Sequence, residues 1–312
     1  MPYDENHSSA TGPRRSRRGL LTAAALVPTA LVGWLAWQAV SGPGGSESPK
    51  GTTIPTTAGK PGDTTPPASP SPSLVAPTST PAPSKDTSGP LAGKVVVIDP
   101  GHNPGNFRHS REINRLVDIG TNSKECDTTG TATNAGYTEA EFTLDVSHRL
   151  RKLLEKQGAR VEFTHDNDRP FGPCIDERAR FGNKAEADAV ISVHADGSAV
   201  GNRGFHVILP ALVTSGTADT SKIVGPSRDL GERIVGKFVR ATGSQVSNYV
   251  GGNTGLDVRK DLGGLNLSDV PKVFIECGNM RDPKDVALLT DPGWRQKAAQ
   301  GMADGISSYL GQ

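Results

Sequence analysis

The chain runs to 312 residues, with 34 Lys and Arg against 33 Asp and Glu and a formal charge of +1. That balance argues against nucleic acid as a partner, which calls for a basic face. With only 3 cysteines the chain is not stapled by a disulfide framework.

After a short polar start, Arg14, Arg15, Arg17 and Arg18 precede an uncharged run of 21 residues, Leu20 to Val40. The run is longer than the roughly 7–15 residues of a cleavable signal core and close to the roughly 20 that span a bilayer. Trp34 and Trp37 sit near its far end, where interfacial aromatics belong, and the arginines would stay cytoplasmic. Ser16 to Leu21 resembles a twin-arginine signal, and Ala39-Val40-Ser41 offers small residues for cleavage. Residues 1–41 thus read as an export segment, either a signal peptide or a membrane anchor with membrane contact through residues 20–40. Residues 42–90 hold 12 of the 24 prolines among Thr, Ser, Gly and Ala. Such a segment cannot bury enough apolar surface to offset its ordering entropy, so it reads as a disordered linker.

Residues 91–312 are long enough for one domain with a substantial core. Val95 to Ile98 is a β-branched run without alternation, the mark of a strand covered on both faces. Asp99-Pro100-Gly101 is expected to stop it and deliver His102 just past its carboxyl end, where open α/β sheets bind ligands. Residues 103–137 are irregular and long for a plain loop, hence a candidate functional insertion. A helix is expected from Thr138 to about Gln157, then a strand over Arg160 to Thr164 and a helix over Ile175 to Ala187. Ala189 to Val193 and Gly204 to Leu209 read as strands, Asp229 to Thr242 as a helix, Lys272 to Glu276 as a strand and Trp294 to Leu310 as a closing helix. The alternation predicts a single three-layer α/β/α domain around a central, mostly buried sheet.

Two of the expected strands end alike: VVVIDPGH carries His102 and AVISVHAD carries His194. If those strands are neighbours, the imidazoles converge as metal ligands do; His165 and His206 lack such a matching pair. A catalytic zinc site commonly takes two His and one carboxylate. Glu139 and Glu141 open the first helix, but Thr138-Glu139-Ala140-Glu141 fits a capping box, which occupies Glu141 and leaves Glu139 free as the third ligand. Glu276, in the apolar strand KVFIE, is read either as buried against an ion-pair partner or as a general base beside the metal.

Taken in order, VVVIDPGH, the Glu heading the next helix, ISVHAD and VFIECGN resemble the four motifs of the zinc-dependent N-acetylmuramoyl-L-alanine amidases of bacterial cell walls. The likeness covers essentially residues 91–312 and is greatest to the actinobacterial, mycobacterial-type branch, through CDTTGTATNAGY, GPCIDERA and GLNLSDVPKVFIECGNM. It implies Zn2+ held by His102, Glu139 and His194, with Glu276 catalytic. The implied reaction cleaves the amide between N-acetylmuramic acid and L-alanine of peptidoglycan, by an exported enzyme in the cell wall or anchored to the outer face of the membrane. Two stretches depart from the family pattern: Asp196 stands where Asn is common, and Gly278-Asn279-Met280 replaces an aromatic-containing turn. The rival readings are a zinc peptidase acting on the peptide stem, a metal-free carboxylate-pair glycosidase, and a non-catalytic wall-binding module. The sequence identifies no activating partner. In an oxidising compartment, Cys126 in the insertion and Cys174 in the Gly172-Pro173 turn are expected to form a disulfide, leaving Cys277 as a small buried side chain.

Overall fold

The structure is a computed structural model, and it describes residues 88–311. The export segment expected at 1–41 and nearly all of the linker expected at 42–90 lie outside the described residues. Among the described residues, no helix is long and apolar enough to cross a membrane.

The chain opens with strand β1 (Val95–Pro100) and the short helix α1 (Ser110–Ile113), followed by a hairpin of β2 (Leu116–Asp118) and β3 (Ser123–Glu125). The long helix α2 (Glu139–Lys156), β4 (Arg160–Phe163), α3 (Ile175–Lys184), β5 (Ala189–Asp196) and β6 (His206–Pro210) come next. A second small hairpin of β7 (Thr214–Ser215) and β8 (Ala218–Asp219) leads to α4 (Val224–Thr242), β9 (Leu256–Arg259) and the single-turn α5 (Gly263–Asn266). The chain closes with β10 (Lys272–Asn279), α6 (Pro283–Leu289) and α7 (Pro292–Leu310).

Six strands form one mixed sheet in the order β4-β1-β5-β10-β6-β9. The first four run parallel, β6 runs antiparallel to β10, and β9 runs parallel to β6. The two faces differ. Ile98, Ile191, Val193, Val207 and Ile275 join Phe142 and Leu150 of α2, Ile234 and Phe238 of α4, and Met302 and Ile306 of α7 in one apolar core. Burying such side chains contributes about 1.5–3 kcal/mol each, so this face holds the domain together. On the opposite face Asp99, Ser192 and Phe274 stand in register, with His194 and Glu276 paired one step further along, and α3 and α5 pack over this face. That thinner third layer leaves the polar face open near the carboxyl edge of the parallel strands.

Three strands run further than the sequence predicts. β1 continues through Asp99 and Pro100, β5 through Asp196 and β10 through Asn279, so His194 and Glu276 lie within their strands. Pro100 is tolerated because the Gly101 N–H, one residue on, bonds to Val193 O on the β5 side. The missing N–H of Pro100 therefore falls on the β4 side, where β4 has already ended. Helix α4 begins at Val224, five residues before the expected Asp229, with Pro226 in the first turn, where its missing N–H costs nothing. Strand β9 and helix α6 were not expected from the sequence.

Candidate metal centre

The strand order makes β1 and β5 neighbours, and their carboxyl ends bring the two imidazoles together, with ring centroids 5.0 Å apart. His102 takes a left-handed backbone, φ 61°, which a non-glycine residue adopts at a cost that functional sites commonly bear. Glu139 arrives from the first turn of α2. Its Oε1 lies 3.0 Å from His194 Nδ1 and 3.1 Å from His102 Nε2, and also accepts from the Ala195 N–H. Glu139 Oε2 accepts from the Thr131 N–H at 2.9 Å, which fixes the carboxylate plane. Among the described residues, His102, Glu139 and His194 form a group whose ligand atoms all lie within 4.8 Å of one another. Two glycines make room for it. A Cβ on Gly101 would fall on the His194 ring, and one on Gly130 would stand 2.7 Å from His102 Cδ2 and 2.8 Å from Glu139 Oε2.

The outer nitrogens of both imidazoles are occupied. His102 Nδ1 donates to Thr128 O at 3.1 Å. His194 Nε2 faces Ser192 Oγ at 3.2 Å, and that hydroxyl donates to Asp99 Oδ2 at 2.9 Å. Each contact fixes one tautomer and turns the remaining nitrogen toward Glu139, as outer partners of metal-binding histidines do. Behind them lies a buried charge network: Arg178 donates to Asp99 at 2.8 Å and to Asp127 at 2.9 Å, and Lys272 donates to Asp99 at 3.1 Å. Burial pushes the Asp99 carboxyl up, but Lys272 and Arg178 overcome it and hold the group well below the usual carboxylate range. Asp127 is likewise disfavoured by burial and held low by Arg178 and His102. At His102 burial opposes the cation, yet Glu139 and Asp127 raise its pKa well above the ordinary value.

Glu276 pairs with His194 across the β5–β10 ladder and points to the same face. Burial, Glu139 and Asp196 together raise its pKa well above the ordinary carboxylate value. Its Oε2 is buried and has no hydrogen-bond partner. Two hollows meet at the site. One, of about 270 Å³, is lined by Glu276, Asp196, Ile208 and Arg259; the other, of about 250 Å³, by Ile175, Arg178, Ser192 and Gly263. His102, His194, Leu262 and Phe274 border both.

Glu141 folds back on Thr138 in a complete capping box and takes no part in the group. His165 is committed to Pro100 O, 3.0 Å away, and His206 is buried on β6. Cys126 and Cys174 are joined by a disulfide, and Cys277 is free and buried. Sequence reasoning missed Asp99, Asp127, Thr128, Arg178, Ser192, Arg259 and Lys272. For Asp99 a signal existed, since an acid inside VVVIDPGH needs a buried partner; for the others the partner is distant in sequence.

A mixed α/β domain that gathers two imidazoles and a carboxylate at the carboxyl edge of its parallel strands, with a second carboxylate beside them, has a site of the kind hydrolases use, compatible with a metal ion. The family described as N-acetylmuramoyl-L-alanine amidase, Amidase_3, matches residues 96–308. An N-acetylmuramoyl-L-alanine amidase of Mycobacterium tuberculosis is 40% identical over 221 residues, which span 70% of this chain and 88% of the relative. The crystal structure of the N-acetylmuramyl-L-alanine amidase of Mycobacterium smegmatis superposes with a TM-score of 0.66 at 38% identity, over 72% of this chain and 99% of that one. The apo form of the Mycobacterium abscessus enzyme gives 0.64 at 39% identity, over 70% and 100%. The chain belongs to the N-acetylmuramoyl-L-alanine amidase family, and it hydrolyses peptidoglycan.

Proposed function

We propose that His102, Glu139 and His194 hold a zinc ion and that Glu276 is the general base that cleaves the amide between N-acetylmuramic acid and L-alanine. The observation that carries this reading is the convergence of two imidazole nitrogens on one carboxylate oxygen, with both outer nitrogens already tied back. Two nitrogens and a carboxylate are the donor set of a catalytic zinc site with a position left open. Zinc bound there supplies a Lewis acid for the scissile carbonyl and lowers the pKa of a water to about 7. The chain's own groups do the rest. Glu276 stands on the same face as His194 with an unpartnered buried oxygen, in surroundings that favour its taking up a proton. It accepts a proton from the attacking water and returns it to the L-alanine amine as the amide C–N bond breaks. Arg178, Asp99 and Ser192 hold the two imidazoles in one orientation.

In the same reading, residues 1–41 export the chain, residues 42–90 tether it and residues 91–312 are the catalytic domain, which works on the cell wall. The test is chelation. Activity on isolated muropeptides should vanish when a chelator strips the metal and return with about one equivalent of zinc. Activity indifferent to chelation would favour a metal-free carboxylate pair instead.

A further inference from the structure

His206 has no part in the chemistry described above, yet its place in the sheet is unusual. It lies on β6 directly opposite Glu276, whose other ladder neighbour is His194. His194, Glu276 and His206 therefore form one row across three strands on the open face. Directly opposed residues hold their Cβ atoms roughly 4.5–5.5 Å apart, within reach of a side-chain hydrogen bond. His206 is 4% exposed, and its Nδ1 has no hydrogen-bond partner. Glu276 Oε2 has none either. Two buried polar atoms left unpaired on facing residues call for an explanation.

The neighbours do not supply one. The Tyr249 ring meets His206 edge-on at 5.9 Å, but its hydroxyl donates to Asp196 Oδ2 at 2.6 Å, so those two satisfy each other. Asp196 from β5 and Asp257 from β9 raise the His206 pKa and Arg259 lowers it, while burial, the largest influence, lowers it and favours the neutral ring. A neutral imidazole carries one N–H and so can donate once. Glu276, for its part, faces the anions Glu139 and Asp196 and has no donor at Oε2.

We propose that His206 is a positioning residue for the amidase reaction: with its proton on Nδ1 it donates to Glu276 Oε2 and aims that carboxylate at the attacking water and the leaving amine. The proposal rests on Glu276 being the base, as in the preceding reading. The two unpaired atoms belong to directly opposed residues of adjacent strands, so the bond needs no rearrangement of the sheet pairing.

The zinc-loaded full chain is assayed for kcat, KM and bound metal. His206→Leu should lower kcat about tenfold or more, the scale of a misplaced general base, with KM and zinc content unchanged. His206→Asn, whose amide N–H stands near the position of Nδ1–H, should keep kcat within about threefold of the parent. In the parent protein, 15N spectra of labelled histidine should show His206 protonated at Nδ1, with a signal that moves in Glu276→Gln. Equal losses in His206→Leu and His206→Asn, an unchanged kcat in His206→Leu, or a proton on Nε2 would each overturn the proposal. The spectroscopic reading needs no His206 variant and so decides the matter even where His206→Leu fails to fold. Continued hydrolysis by Glu276→Gln would remove the base assignment and this proposal together. An inactive Glu276→Gln beside a fully active His206→Leu would remove this proposal alone.

Discussion

Glu139 and Glu141 lie on the first turn of α2, one turned toward the two imidazoles and the other folded back on Thr138. Replacing Glu141 with Ala removes a cap and should cost about 0.5–2 kcal/mol of stability, with metal content and activity kept. Glu139→Ala should lose both, because among the described residues no other carboxylate oxygen lies in the group. Metal analysis and a muropeptide assay on the two variants check this, and the reverse pattern would exchange their roles. This division was legible in the sequence because the capping box is a local rule, satisfied within four residues. The support behind the imidazoles was not. Asp99, an acid at the end of an apolar run, signals that it needs a partner but not which one, and Ser192 reads as one more residue in a strand. Their connection to His194 depends on β1 and β5 being adjacent, which no local pattern states.

At the scale of the elements, the insertion and α3 are held together at the disulfide. Cys126 precedes Asp127 and Thr128, which contact His102, and Cys174 caps the helix that carries Arg178. The Ile175 N–H donates to Cys126 O at 2.7 Å, so the backbones are joined as well. A thiol titration of the unfolded, unreduced protein should find one free cysteine, Cys277, and three would contradict the structure. A bridge spanning 48 residues stabilises by roughly 4 kcal/mol in the chain-entropy account, so reduction should lower the unfolding midpoint clearly. It should also weaken metal binding about 10–100-fold, the usual effect of losing an outer contact to a ligand. The long helices and the apolar strands were legible from periodicity. Four residues, Leu256 to Arg259, are too few to show a period, so β9 was not. Helix α6 did leave a signal: Asp282-Pro283 opens it as Asp291-Pro292 opens α7, an N-cap followed by Pro at the first helical position.

In the whole molecule, the sheet separates two tasks. Its apolar face packs on α2, α4 and α7, while its other face buries the ions Asp99, Asp127, Arg178 and Lys272 beneath the site. The folded pKa values of Asp99 and Asp127 lie below the unfolded value of about 3.9. Their contribution is therefore complete above about pH 5 and is lost as pH falls through the unfolded value toward the lower folded ones. Thermal midpoints of the parent should begin to fall near pH 5 and drop most steeply below about pH 4, and Asp99→Asn should be less stable at neutrality with a shallower acid slope. A midpoint that holds or rises on acidification would contradict the network.

The most direct measurement pairs product mass with metal content for the parent and for Glu276→Gln. The parent should bind about one zinc per chain and convert muropeptides into intact N-acetylmuramic acid and a stem peptide beginning with a free L-alanine amine. Glu276→Gln should keep its zinc and yield no product, because the base is not a ligand. Cleavage within the stem, or a Glu276→Gln protein that releases zinc as readily as His102→Ala, would contradict this account.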